Sequence, residues 1–117
     1  NKLLDFGEVW RDDSKGLPLP LGLDVVRRDL GLDLARRLSE GLRDSIQYGY
    51  QHQDESIPYA LEFGRGINAQ LGARFVKMYV NDVTIDMGER GEQALRLLFN
   101  KATAKKLIPH QPEIILV

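Results

Sequence analysis

The run Leu17-Pro18-Leu19-Pro20-Leu21-Gly22 most narrows what this chain can fold into. Each proline lacks a backbone donor and biases the residue before it toward extended geometry, so no helix can pass through the run. The segment must be extended. Before it lies the most loop-like part of the chain, with a short apolar cluster at Leu3-Leu4-Asp5-Phe6 and a polar stretch from Arg11 to Gly16. After it, Leu23-Asp24-Val25-Val26-Arg27-Arg28 has β-branched content and reads as a short strand that Asp29 ends.

From Asp33 onward the period changes to that of a helix. Ala35, Leu38, Leu42, Ile46 and Tyr50 fall on one side, while Arg36, Arg37, Glu40, Arg43, Asp44 and Gln47 fall on the other, with Asp33 placed to cap the start. A second helix is expected after the polar run from Gln51 to Glu55, capped by Asp54 or Ser56, with Pro58 in its first turn and Tyr59, Leu61 and Phe63 buried. Gly64-Arg65-Gly66 ends it. A third is spaced by Ile67, Leu71, Phe75 and Met78, starting near Asn68 and stopping at Asn81-Asp82. The fourth runs from about Met87 to Lys106 with Ala94, Leu95, Leu98 and Ala102 inward. Its acids lie early and its lysines late, as the helix dipole favours. Pro109 and Pro112 prevent further helix, which leaves Ile114-Ile115-Leu116-Val117 as a terminal strand or docked apolar tail.

Composition removes several classes of function. In 117 residues, 16 Lys+Arg oppose 17 Asp+Glu for a formal charge of −1, with no clustered basic block, so the footprint of a nucleic-acid binder is lacking. No apolar stretch is long enough for a membrane span. There is no cysteine, which excludes disulfides, thiolate nucleophiles and Cys-based zinc sites. With 43% hydrophobic residues the chain can form a real core. It begins with Asn1 and without the apolar region of a signal peptide, which suggests a piece of a longer protein.

Spacing alone reveals no active site. His52 and His110 lie in polar or proline-flanked stretches, without the spacing that puts two imidazoles on one helix face, so solvated side chains and no metal are expected. Ser14, Ser39, Ser45 and Ser56 lack the glycine context of a nucleophile elbow. Gly64, Gly66 and Gly72 miss the dinucleotide spacing and read as a helix stop. Asp82, Asp86, Glu89 and Glu92 fall at helix starts, where capping and the dipole account for them. Arg27-Arg28 has the planar forks to hold a carboxylate or phosphate, though a solvated strand end explains the pair more simply. Tyr48, Tyr50, Tyr59 and Tyr79 read as core edges.

Two segments together carry a resemblance. Leu4-Asp5-Phe6-Gly7-Glu8-Val9-Trp10, followed by Gly16-Leu17-Pro18-Leu19-Pro20-Leu21-Gly22 and Arg27-Arg28, resembles the middle of the 1,4-dihydroxy-6-naphthoate synthase family of the futalosine route to menaquinone. The stretch from Tyr79-Val80-Asn81-Asp82 to Met87-Gly88-Glu89-Arg90-Gly91 is similar to that family's approach to its last long helix. Leu23-Asp24 departs from the small or apolar residues more usual in the family.

The resemblance spans essentially the whole chain but only the C-terminal portion of the family. It implies an α/β chain: the C-terminal portion of a two-lobed fold like type II periplasmic solute-binding proteins, helix-rich with two or three short strands. Residues 1–31 would be an extended, strand-containing crossing segment, and 32–117 a helical body with a final long helix and tail. It also implies a cytoplasmic carbon–carbon lyase, without cofactor, that converts cyclic dehypoxanthine futalosine to 1,4-dihydroxy-6-naphthoate. The family's histidine base lies in a His-Glu pair, and none occurs here, so no catalytic residue is carried over and the chain alone is expected to be inactive. Pro18, Leu19, Pro20 and Leu21 are the residues expected to border the substrate cleft. Chorismate dehydratase of the same route, and a non-catalytic solute-binding-like module, are the alternatives. No nucleic acid or membrane partner is expected. A chain lacking the rest of its family's length is expected to self-associate or exchange segments.

Overall fold

A computed structural model of the chain describes residues 3–64, 66 and 68–117. Among the described residues six α-helices follow one another: α1 (Phe6–Asp13), α2 (Leu32–Gln51), α3 (Gln53–Glu62), α4 (Ala69–Tyr79), α5 (Asp82–Ile85) and α6 (Gly88–Ala104). A 3-10 turn, Arg28–Leu30, precedes α2. The chain forms two compact units, one of Asn1–Val25 with Met87–Leu116 and the other of Val26–Asp86 with Val117. No helix is long and apolar enough to cross a membrane among the described residues.

The expected α/β fold with two or three strands is overturned, because no strand occurs among the described residues. Neither Leu23–Arg28 nor Ile114–Val117 forms one. Arg27 does take extended angles, φ −65° and ψ 131°, but an extended segment becomes a strand only when a neighbour completes its ladder. The extended run at residues 17–22 is free of helix, as its prolines require.

In the first unit, α1 forms inside the stretch expected to be loop. Asp5 caps it, its Oδ1 accepting from the Gly7 and Glu8 amides at 2.9 and 3.1 Å. The helix closes with Gly16 N–H on the Arg11 carbonyl at 2.7 Å, around Lys15 at φ 57°. α6 behaves as its period predicts: Ala94 and Leu95 are buried, and Leu98 and Ala102 half-buried. Trp10 joins them among the buried apolar residues. Lys101 reaches across to Asp13 at the end of α1, Nζ to Oδ2 2.8 Å.

In the second unit, α3 packs on both α2 and α4, and α5 on α2. Asp33 is not the cap of α2. Gly31 occupies that position and Asp33 lies in the first turn, 3.7 Å from Arg36. One residue, His52, separates the end of α2 from the start of α3, so Pro58 falls within the helix rather than in its first turn. Ser56 Oγ donates to the Gly49 carbonyl at 2.8 Å and fastens α3 to α2. α4 starts at Asn68 as expected, its side chain accepting from the Leu71 amide at 2.8 Å. Ile67, the first residue of that helix's periodic stripe, and Arg65 of the preceding helix stop lie outside the described residues.

The expected burial on these helices is largely absent. Ala35 is buried and Ile46 half-buried, yet Leu38, Leu42 and Tyr50 of the same stripe are exposed. Leu61 is half-buried, whereas Tyr59 and Phe63 are exposed and meet edge to face at 5.3 Å. On α4 the packed edge is Gly72 and Val76, one step round from the exposed Leu71, Phe75 and Met78.

Candidate functional site

The residues expected at the substrate, Pro18 to Leu21, leave α1 as a strap whose base is held by side chains of the first unit. The Trp10 indole N–H donates to the Pro18 carbonyl at 2.9 Å. One step earlier, Ser14 Oγ accepts the Leu17 amide at 3.1 Å. One step earlier again, the Arg90 guanidinium of α6 donates to the Gly16 carbonyl. Pro18, Leu19 and Pro20 are half-buried, and Leu21 is exposed.

Chemically the strap presents aliphatic walls and carbonyl acceptors. The two prolines contribute no donor, and the Leu17 amide is already occupied by Ser14. The strap contains no acid, base or nucleophile, so it can bind and orient but not catalyse.

Trp10 and Ser14 were not singled out as functional residues by sequence reasoning. Asp5 followed three residues later by Glu8 is a helix-start pattern and marks α1, but eight residues separate Trp10 from Pro18, and no local pattern announces that bond.

Most other candidates have structural roles. His52 is not a freely solvated side chain: it is half-buried at the junction of α2 and α3, its ring stacked on Tyr48 at 4.0 Å and its Nδ1 2.9 Å from the Tyr48 carbonyl. His110 is exposed, as expected. Arg27 grips Asp29 with both Nε, at 3.0 Å, and Nη2, so its fork is engaged within the 3-10 turn. Glu92 receives Arg96 one turn on, at 2.9 Å from Nε, while Asp86 ends α5 instead of starting a helix. Among the described residues no cluster of His, Cys, Asp and Glu could hold a metal ion.

Shallow apolar grooves lie among the described residues of the second unit. One, of about 210 Å³, lies between α3 and α4 beside Ala60, Gly72 and Val76. Another, of about 220 Å³, lies beside Ile46, Tyr50 and Val80. Both are lined almost wholly by apolar groups and contain no ionisable pair for chemistry.

The chain belongs to the menaquinone biosynthesis family, whose model matches residues 1–104. It is similar to a protein of Streptomyces coelicolor called 1,4-dihydroxy-6-naphtoate synthase, 36% identical over 109 residues, which is 93% of this chain and 38% of that protein. A protein of the same description from Thermus thermophilus is 36% identical over 116 residues, or 99% of this chain and 42% of its own length. The chain therefore spans about two fifths of the length of these relatives. No solved structure matches it significantly.

Proposed function

We propose that the polypeptide carrying this chain is a carbon–carbon lyase of menaquinone biosynthesis that converts cyclic dehypoxanthine futalosine to 1,4-dihydroxy-6-naphthoate in the cytoplasm. The observation that carries the reading is the similarity over nearly the whole chain to two relatives described as 1,4-dihydroxy-6-naphtoate synthase. In this reading the substrate is a small molecule, and this chain supplies part of its binding surface at Pro18, Leu19, Pro20 and Leu21. The anchored base of that strap supports the assignment, since an ordered wall spends no binding free energy on its own ordering. In this reading the proton-transfer groups belong to the rest of the family's length, as the lack of a His-Glu pair in this sequence leads one to expect.

The test is turnover by the full-length polypeptide. Given cyclic dehypoxanthine futalosine, it should release the naphthoate, followed by liquid chromatography and mass. Binding of that compound without turnover, together with dehydration of chorismate, transfers the assignment to the sister enzyme of the route. The 117-residue chain by itself should show no turnover.

A further inference from the structure

We propose that Trp10, Ser14 and Arg90 are positioning residues that clamp the base of the Pro18–Leu21 strap and so fix the wall it presents to substrate. The inference rests on the reading above that the strap borders the substrate. Its physical basis is independent of that reading, and lies in three bonds to three consecutive residues. Arg90 holds the Gly16 carbonyl, Ser14 the Leu17 amide at 3.1 Å, and Trp10 the Pro18 carbonyl at 2.9 Å.

Two of these anchors are buried. Trp10 is 8% exposed and Ser14 6%, and a buried donor or hydroxyl left without a partner costs more than a made bond gains. If the strap lifts, the indole N–H and the Ser14 hydroxyl both lose partners inside the unit. The strap is therefore held down by the cost of stranding them as well as by the bonds themselves. Beyond Pro18 these anchors stop, and Pro20 takes over by fixing φ at one of the next three positions. The exposed Leu21 thus extends from a rigid base, although it has no anchor of its own among these bonds. A binding wall preorganised in this way loses affinity when its base is released, even though no contact with the ligand has been cut.

The experiment uses the full-length polypeptide with the substrate of the proposed reaction. Trp10→Phe keeps an aromatic ring and removes the donor, and Ser14→Ala removes the hydroxyl. Each should raise KM by about two- to tenfold, the worth of one neutral hydrogen bond, with kcat of the folded enzyme held within about twofold. Amide exchange across residues 16–21 should speed up in the same variants. Because both changes release one strap, their combined effect on KM should fall short of the product of the two. Arg90→Gln alters an exposed side chain, and provides the same test if Trp10→Phe fails to fold.

Faster exchange with KM unchanged overturns the positioning role, as does a fall in kcat that only follows the fraction of folded enzyme. Unchanged exchange in all three variants overturns the clamp. Wild-type protein without turnover sinks the functional reading instead, a result distinct from a variant that turns over with its KM unaltered.

Discussion

The Ala102 carbonyl accepts the backbone N–H of Leu107 at 2.9 Å, five residues on, and the Thr103 carbonyl accepts that of Lys106 at the same distance. These nested bonds close α6 around Lys106, which sits at φ 57°. The arrangement is a Schellman cap, and its left-handed position is one that glycine fills without steric cost. Lysine occupies it here, as Lys15 does at the end of α1, where Gly16 N–H reaches the Arg11 carbonyl. Lys106→Gly and Lys15→Gly should each stabilise the chain by about 0.5–1 kcal/mol, the usual size of a relieved left-handed strain less the added freedom of the unfolded glycine. The urea midpoint measures this, and a fall in either variant contradicts the cap geometry.

Gly91 gives the opposite sign. An alanine inside a helix normally gains about 1 kcal/mol over glycine. At Gly91, however, an added Cβ would stand 2.5 Å from the Met87 Cβ and 3.0 Å from its Cγ. The obstruction is the root of the Met87 side chain rather than its flexible end, so the backbone at the start of α6 has to move. Gly91→Ala should destabilise by about 1–3 kcal/mol, as overpacking does, and the loss should largely vanish in a Met87→Gly background. Thermal melts of the two single variants and the double variant decide it.

Asn81 and Thr84 form a reciprocal cap on α5. Asn81 Oδ1 accepts the Val83 amide at 3.0 Å, while Thr84 Oγ1 accepts the Asn81 amide at 3.2 Å and donates to the Tyr79 carbonyl at 2.8 Å. Four residues cannot sustain a helix by themselves, so the caps decide whether this turn forms. Asn81→Ala should cost about 1 kcal/mol. Thr84→Val, equal in shape but without the hydroxyl, should cost at least as much, because it removes both of its bonds at once. Equal stability of Thr84→Val and the parent would show that the turn does not depend on its cap.

These cases show why the sequence was legible in some places and not in others. α6 was readable because Ala94 and Leu95 follow the helical period and are buried by it, and its early acids and late lysines agree. The start of α4 was readable from Asn68. α1 was missed because a helix of eight residues, Phe6–Asp13, shows little more than two turns of period, and its signal lies in the Asp5 cap. The strands were expected from β-branched content at residues 23–28, which describes a backbone preference and cannot supply a neighbouring strand. Period also locates a helix's apolar stripe without saying what covers it, as Leu38 and Leu42 show. The strap at Pro18–Leu21 was visible from its prolines, whereas the Trp10 anchor depends on a fold that brings an indole to a carbonyl eight residues away.

Expressed by itself, the 117-residue chain leaves apolar helix faces uncovered. Its buried apolar residues are Trp10, Ala35, Ala94 and Leu95 among those described, a small core for this length. Meanwhile Leu38 and Leu42 of α2 are 50% and 45% exposed, and Phe63, Phe75 and Met78 of the second unit are 72%, 55% and 64% exposed. Each uncovered square ångström of such surface costs about 25 cal/mol relative to burial, so contact with another copy lowers the free energy wherever these faces can meet. The isolated chain should therefore self-associate or exchange segments, with a sedimentation coefficient that rises with concentration. Leu38→Lys with Leu42→Lys places two charges on the exposed face of α2 and should shift the distribution toward monomer. A parent chain that sediments as a monomer at every concentration and unfolds cooperatively would show that these faces need no cover.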